Sequence, residues 1–281
     1  MARAIERIEQ DIARLKEAIR AIAVELQTAY ASYLNTLGLA VRKQLILASY
    51  HLCTQGYPEN FLHLSLNQRQ QLQQAIRKLG QVAAEQLLTS IKSQEVGLDK
   101  GDEEDEDEEN QEVTSSELLD TSNSQSFTAD TSNPIELVKW QQNLEEVTQD
   151  ILKKLSHDAN VLIQKSGVLP KKLPEPILAA AAAAASEASA EVMPGPPNLL
   201  NLVIEIENEQ QSEDSALTQI MAINLRLGEI EFAEVALSSE RRQIRSILVQ
   251  LNKLGREYQK KHRERAIAEA EAAWRASWFE D

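Results

Sequence analysis

Isoleucine and leucine recur at Ile5, Ile8, Ile12, Leu15, Ile19, Ile22 and Leu26, alternately three and four residues apart. That spacing lines one face of an α-helix and is the a/d seam of a heptad repeat. Charged residues of both signs, from Arg3 to Arg20, fill the positions between. Burial of each large aliphatic side chain contributes about 1.5–3 kcal/mol, so this stripe predicts a partner helix, in this chain or another. The seam continues less regularly through Ala29 and Tyr33 toward Leu37, and a second helical region follows over Leu39 to Tyr50. Gly56 and Pro58 then punctuate the chain. Ser65 with Gln68 three residues later is a capping-box signature, and Leu72, Ile76, Leu79, Val82 and Leu87 mark the apolar face of the helix it opens.

A second ordered stretch opens at Asn133-Pro134-Ile135-Glu136, with Asn at the N-cap, Pro in the first turn and Glu at the third position. Leu137, Trp140, Leu144, Val147, Ile151, Leu155 and Leu162 give its face, and Gly167 and Pro170 end it. Leu200, Leu202, Ile204 and Ile206 alternate with Asn201, Val203, Glu205 and Glu207. A strand reading leaves them nothing to pair with, so helix or partner-induced order is the expectation there. Ile220, Ile223, Leu227 and Ile230 repeat as a helix, a break falls near Ala236–Ser239, and a long final helix carries Ile244, Leu248, Leu251, Gly255 and Tyr258 to about Trp274.

Composition changes this picture in two places. Residues 95–130 hold 14 acids and one lysine, Lys100, so most of the net charge of −15 sits in one segment and the rest of the chain carries only −2. Eight consecutive acids at 102–109, followed by Ser, Thr and Asn, leave little apolar surface to offset the ordering entropy. This reads as a solvated linker, with a specific site for a basic partner as the other use; it lacks the ligand spacing of an EF-hand loop. Residues 170–212 bracket a seven-alanine run, 179–185, with prolines on both sides. Aromatic content of only 4%, against abundant Ala, Leu and Ile, favours long helices over a large globular core.

The expected fold is therefore all-α, with helical bundle or coiled-coil segments joined by disordered acidic and Ala/Pro-rich linkers. Residues 1–94 form an N-terminal helical region containing the heptad helix, 95–133 an acidic linker, 134–169 a central helix, 170–212 a Pro/Ala-rich linker and 213–281 a C-terminal helical hairpin.

Chemistry is sparse. No nucleotide-binding glycine loop and no nucleophile elbow is present. His51, His63, His157 and His262 show no metal-ligand spacing, and Cys53 is the only cysteine, which excludes an internal disulfide. Cys53 reads as a small buried apolar residue and His51 as a polar helix residue. The expectation is no enzyme, no metal, no cofactor and no small-molecule substrate. The start MARAIERIEQ lacks the apolar run of a secretory signal, and no window has the roughly 18 apolar residues of a membrane span.

The C-terminal helix offers a charged candidate. Arg241 to Arg265 contain nine basic residues against Glu257 and Glu264. Arg256, Lys260, Lys261, Arg263 and Arg265, followed by Trp274, Trp278 and Phe279, form a candidate anionic-surface site. The same residues fit nucleic-acid phosphates, a solvated basic face whose aromatics staple the terminus to the bundle, or a face masked by the acidic insert. The stripe Ile5, Ile8, Ile12, Leu15, Ile19, Ile22 and Leu26 is the candidate partner-helix seam.

Three stretches carry a family resemblance: HLCTQGYPENFLHLSLNQRQQLQQ at 51–74, LRLGEIEFAE at 225–234 and AIAEAEAAWRASWFED at 266–281. They resemble a functionally uncharacterised cyanobacterial family of helical, thylakoid-associated proteins, over about half the chain and without the acidic insert. The resemblance implies a cytoplasm-facing location with peripheral attachment to the thylakoid, and carries over no catalytic residue. The functional expectation is a non-enzymatic helical interaction or scaffold protein, self-associating or binding a protein partner through helices, peripheral at the thylakoid surface. The alternative is a nucleic-acid-associated regulator that uses the basic helix.

Overall fold

The computed structural model describes residues 2–95, 131–170, 196–206 and 216–278. The acidic segment from 96 to 130, the alanine run and Phe279 lie outside them. The protein is all-α in class. Its elements are α1 (Ala2–His51), a π-helical turn (Leu52–Gly56), α2 (Pro58–His63), α3 (Leu66–Glu95), α4 (Pro134–Lys165), β1 (Leu199–Ile206), β2 (Ala216–Ile223), α5 (Leu227–Ala233) and α6 (Val235–Ala276).

The chain divides into two compact units, and each takes part of α1, α3, α4 and α6. The first contains α1 up to Leu26, the end of α3, the start of α4 and α6 from Ile247. Its core holds Ile12, Ile19, Ile22 and Leu26 of the seam, with Ile91, Leu137, Trp140, Ile247 and Leu251. Ile5, Ile8 and Leu15 are half-buried. The seam is thus covered within the chain at these positions. Gly255 lets α6 approach the start of α4: a Cβ there would lie 3.3 Å from that of Pro134.

The second unit contains the rest of α1, the π-turn, α2, α3 to Thr89, α4 from Leu144, the two strands, α5 and the start of α6. Where the hydrophobic pattern suggests two helices meeting near Gly38, α1 is continuous. Gly38 is not a break but a contact: a Cβ there would sit 3.0 Å from the Cβ of Ala84 on α3. Gly80, one turn from Ala84, lies against Arg42 and Leu45: a Cβ there would sit 3.3 Å from Leu45 Cδ2. Glycine lowers helix propensity by about 1 kcal/mol, and here it permits close packing between α1 and α3.

The capping signals act as the sequence indicates. Ser65 N–H donates to Gln68 Oε1 (2.9 Å) and Gln68 N–H to Ser65 Oγ (3.3 Å), the reciprocal capping box. Asn133 Oδ1 accepts from Ile135 N–H at 3.0 Å, with Pro134 at the first helical position of α4. Gly167, at φ 88°, ends α4 in a Schellman motif: its N–H bonds Gln164 O and that of Val168 bonds Ile163 O. Val82 is the exception on α3; it is exposed, and Ala83 takes the buried position.

The region 199–223 corrects the sequence reading. It is neither a linker followed by a helix nor a lone strand, but an antiparallel pair with Leu199 opposite Ile223, Asn201 opposite Met221 and Ile206 opposite Ala216. Ile220 and Ile223 are a helical interval apart, yet they belong to a β-rich octapeptide, ALTQIMAI. Over so short an apolar run the two periods are hard to separate. The helical hairpin expected over 213–281 therefore reduces to α5 and α6, with the break at Glu234 rather than 236–239. Side chains complete the outer edge of β2. Asn160 Nδ2 donates to Ile223 O (2.9 Å) and its Oδ1 accepts from Ile223 N–H (2.8 Å); the Tyr57 hydroxyl both accepts from Met221 N–H (3.1 Å) and donates to Met221 O (3.2 Å). These contacts satisfy backbone groups that a third strand would otherwise take.

Candidate functional site

Helix α6 has two different faces. Ile244, Ile247 and Leu251 are buried, and Leu248, Gly255, Tyr258 and His262 continue that side half-buried. The opposite side carries Val249, Lys253, Arg256, Lys260, Arg263, Ile267, Ala270 and Trp274, and Trp278 follows just past the helix end, all exposed. At 100° per residue these positions fall within an arc of about 100°. One acid, Glu271, falls on the stripe beyond its cations, paired with Arg275 at 3.6 Å. Its cations run from Lys253 to Arg263, about 15 Å along the axis, and its large apolar groups follow from Ile267.

Trp274 and Trp278 do not staple the helix end to the rest of the fold. Trp274 and Trp278 are 68% and 67% exposed. They lie against each other, ring centroids 6.1 Å apart. Two bulky indoles are thus presented to the surroundings one helical turn apart.

The basic candidates separate. Arg256, Lys260 and Arg263 share the outer stripe. Lys261 instead lies between Asp11 (3.2 Å) and Glu264 (3.0 Å), and Arg265 pairs with Glu269 at 3.2 Å. Hydrogen bonds donated to Glu264 and then to Asp11 push the Lys261 pKa up, so its charge is committed locally. His262 rests on the Tyr258 ring, centroids 4.3 Å apart, and its pKa is lowered by desolvation and by the charges of Arg265 and Lys16. A groove of about 400 Å³ beside this cluster is lined by Asp11, Arg14, Leu15, Glu257, Lys260 and Lys261. Its alternating signs give no concentrated field for an anion. Val249, Lys253 and Ile267 belong to the outer face although local clustering does not single them out; their spacing from Arg256, Lys260 and Arg263 does.

Arg241, the first cation of the basic segment, is withdrawn from the surface in the second unit. Its guanidinium holds Glu145 with two nitrogens, donates to Glu231 Oε1 at 2.8 Å and to the Tyr33 hydroxyl at 2.7 Å, and lies 4.4 Å from the Tyr33 ring centroid. Tyr33 donates to Glu231 and Tyr30 donates to Glu145 at 2.7 Å. Burial, with the neighbouring carboxylates, raises the Tyr33 pKa although Arg241 opposes it. Burial alone would lower the Arg241 pKa, and the hydrogen bonds and charges around it, Glu145 first, more than reverse that. The cluster ties α1, α4, α5 and α6 together.

Cys53 is buried and its thiol is pushed up to about 11 by burial, a poor nucleophile at neutral pH. Among the described residues no group of three or more His, Cys, Asp or Glu side chains is arranged to hold a metal, and no helix is long and apolar enough to cross a membrane.

The three stretches that carry the family resemblance fall on joints and an exposed end. Residues 51–74 contain the π-turn, α2 and the Ser65 capping box. In 225–234, Glu229 accepts from Asn198 N–H, Glu231 binds Arg241 and Glu234 binds Lys43. Residues 266–278 are the exposed end of α6. Comparison of the chain with known protein families, curated proteins and solved structures finds no match.

Proposed function

We propose that this protein is a non-enzymatic helical interaction protein that attaches peripherally to an anionic membrane surface through the outer face of α6. The observation that carries the reading is the exposed stripe in which Lys253, Arg256, Lys260 and Arg263 precede the bare Trp274–Trp278 pair. Cations near an anionic bilayer contribute about 1 kcal/mol each at low salt. Four of them supply the attraction, which is screened over a Debye length of about 10 Å at 0.1 M salt. Indole rings prefer the headgroup boundary, where an apolar body and a polar N–H are both accommodated. The resemblance to a thylakoid-associated family supports the cytoplasmic face of the thylakoid as the surface.

Co-sedimentation tests it. The protein pellets with anionic phospholipid vesicles at low ionic strength, is released by high salt, and ignores neutral vesicles. Failure to pellet at low salt removes the membrane reading. Equal, strongly salt-dependent binding to nucleic acid would favour the regulator reading instead.

A further inference from the structure

Away from the outer stripe of α6, the second unit carries exposed apolar side chains with no role in the proposed membrane attachment. Leu39, Ile46, Leu47 and Tyr50 of α1 are 53%, 45%, 38% and 58% exposed. They share the outward face of α1 with Lys43, since 39, 43, 46 and 50 are spaced 4, 3, 4. Phe232 at the end of α5 and Val235 at the start of α6 are 91% and 80% exposed. Lys43 Nζ meets Glu234 Oε2 at 3.2 Å, which brings the α5–α6 corner against this face of α1. Phe232 and Val235 flank Glu234 in the chain, so the six exposed apolar side chains lie around a single ion pair. Phe232 is bare although both flanking segments are fastened: Glu231 to Arg241 and Glu234 to Lys43.

We infer that this patch is the contact between two copies of the chain, related by a two-fold axis. Two features select a second copy as the occupant. The first is size. From their fractional exposures, the six side chains leave roughly 600 Å² in solvent. That is at the top of the about 300–600 Å² that a monomer leaves in its largest patch. With a polar rim it reaches the about 800 Å² per partner of a standard interface. The second is charge. The patch carries one cation and one anion side by side, Lys43 with 70% and Glu234 with 35% of its side chain exposed. A surface of this kind is its own complement. Turned by a two-fold, it sets Glu234 of one copy toward Lys43 of the other, twice, with no like charges opposed.

Sedimentation equilibrium of the full chain reads the assembly directly. Two-chain mass is expected for the native protein, and monomer for Phe232→Glu and for Tyr50→Glu, both surface changes that leave the far-UV circular dichroism unchanged. Lys43→Glu and Glu234→Lys each weaken the dimer about tenfold or more. Mixed in equal amounts, these two variants regain it, because one copy then presents two anions to the other's two cations. A native chain that stays monomeric overturns the proposal and assigns the patch to a different occupant. So does a dimer that survives Phe232→Glu. Charge variants that fail to recover on mixing overturn the two-fold arrangement. Vesicle binding by monomeric Phe232→Glu, through α6, separates this result from the membrane assay.

Discussion

The Arg241 guanidinium holds both carboxylate oxygens of Glu145, 96 positions earlier in the chain, while the same group donates to Glu231. Only 12% of the Arg241 side chain and 22% of that of Glu145 meet solvent. A largely buried pair is costly to break because its surviving partner is stranded. Arg241→Ala therefore lowers the unfolding free energy by about 3 kcal/mol, leaving two carboxylates without their cation. Arg241→Lys recovers only part of this, since an ammonium cannot match the two-nitrogen fork. Replacing Arg241, Glu145 and Glu231 together by apolar residues costs less than Arg241→Ala alone. Urea unfolding of the four proteins checks the order; a harmless Arg241→Ala would contradict it.

Cys53 gives a pH dependence with a definite sign. Its folded thiol has a pKa near 11 against 9.0 when unperturbed, with burial as the cause. A raised folded pKa contributes stability that is complete below the unfolded value and is lost as pH rises through the folded one. The melting temperature therefore falls between pH 9 and about 11, and Cys53→Ala makes that fall shallower. Native protein at pH 8 reacts slowly with a thiol reagent, and unfolded protein reacts at once. Rapid labelling of the native state would show that Cys53 is accessible.

Gly38 tests the contact between α1 and α3. Its missing Cβ would come within 3.0 Å of the Ala84 Cβ. Gly38→Ala gains about 1 kcal/mol of helix propensity but overpacks a close-packed site, at a cost of about 1–3 kcal/mol. The expected balance is a destabilised protein, restored when Ala84→Gly is added. A stabilised Gly38→Ala would mean that α1 and α3 separate easily at this level.

The extent to which these features are legible in the sequence follows their range along the chain. Ser65 with Gln68, Asn133 with Pro134, and Gly167 act on backbone groups a few residues away, so the motif contains its own partner. The seam at Ile12, Ile19, Ile22 and Leu26 is read correctly as buried, because periodicity reports a face. Periodicity does not report what covers that face. Gly38 resembles a break because its reason is Ala84, on another helix. The β1–β2 pair escapes because the strand sequences look ambiguous singly, and only the partner register fixes their period. Arg241 counts as one more cation in a basic run until Glu145 and Glu231 are placed around it. Phe232 gives no signal at all, since an exposed phenylalanine and a core one are written alike.

Lys260 and Lys261 are neighbours in sequence and opposites in use. Lys260 lies on the exposed outer stripe of α6, whereas the amine of Lys261 is shared by Asp11 and Glu264. A charge already neutralised by two carboxylates adds little to the field felt by an anionic surface, and detaching it would expose both acids. Lys260→Ala should therefore weaken binding to anionic vesicles about three- to tenfold at low salt, in line with about 1 kcal/mol for one cation, and should flatten the salt dependence. Lys261→Ala leaves the affinity nearly unchanged and acts instead on the link between α1 and α6. Trp274→Ala with Trp278→Ala weakens binding without altering the salt dependence, since the indoles carry no charge. Equal losses for Lys260→Ala and Lys261→Ala would mean that the whole basic cluster, and not the outer face of the helix, meets the membrane.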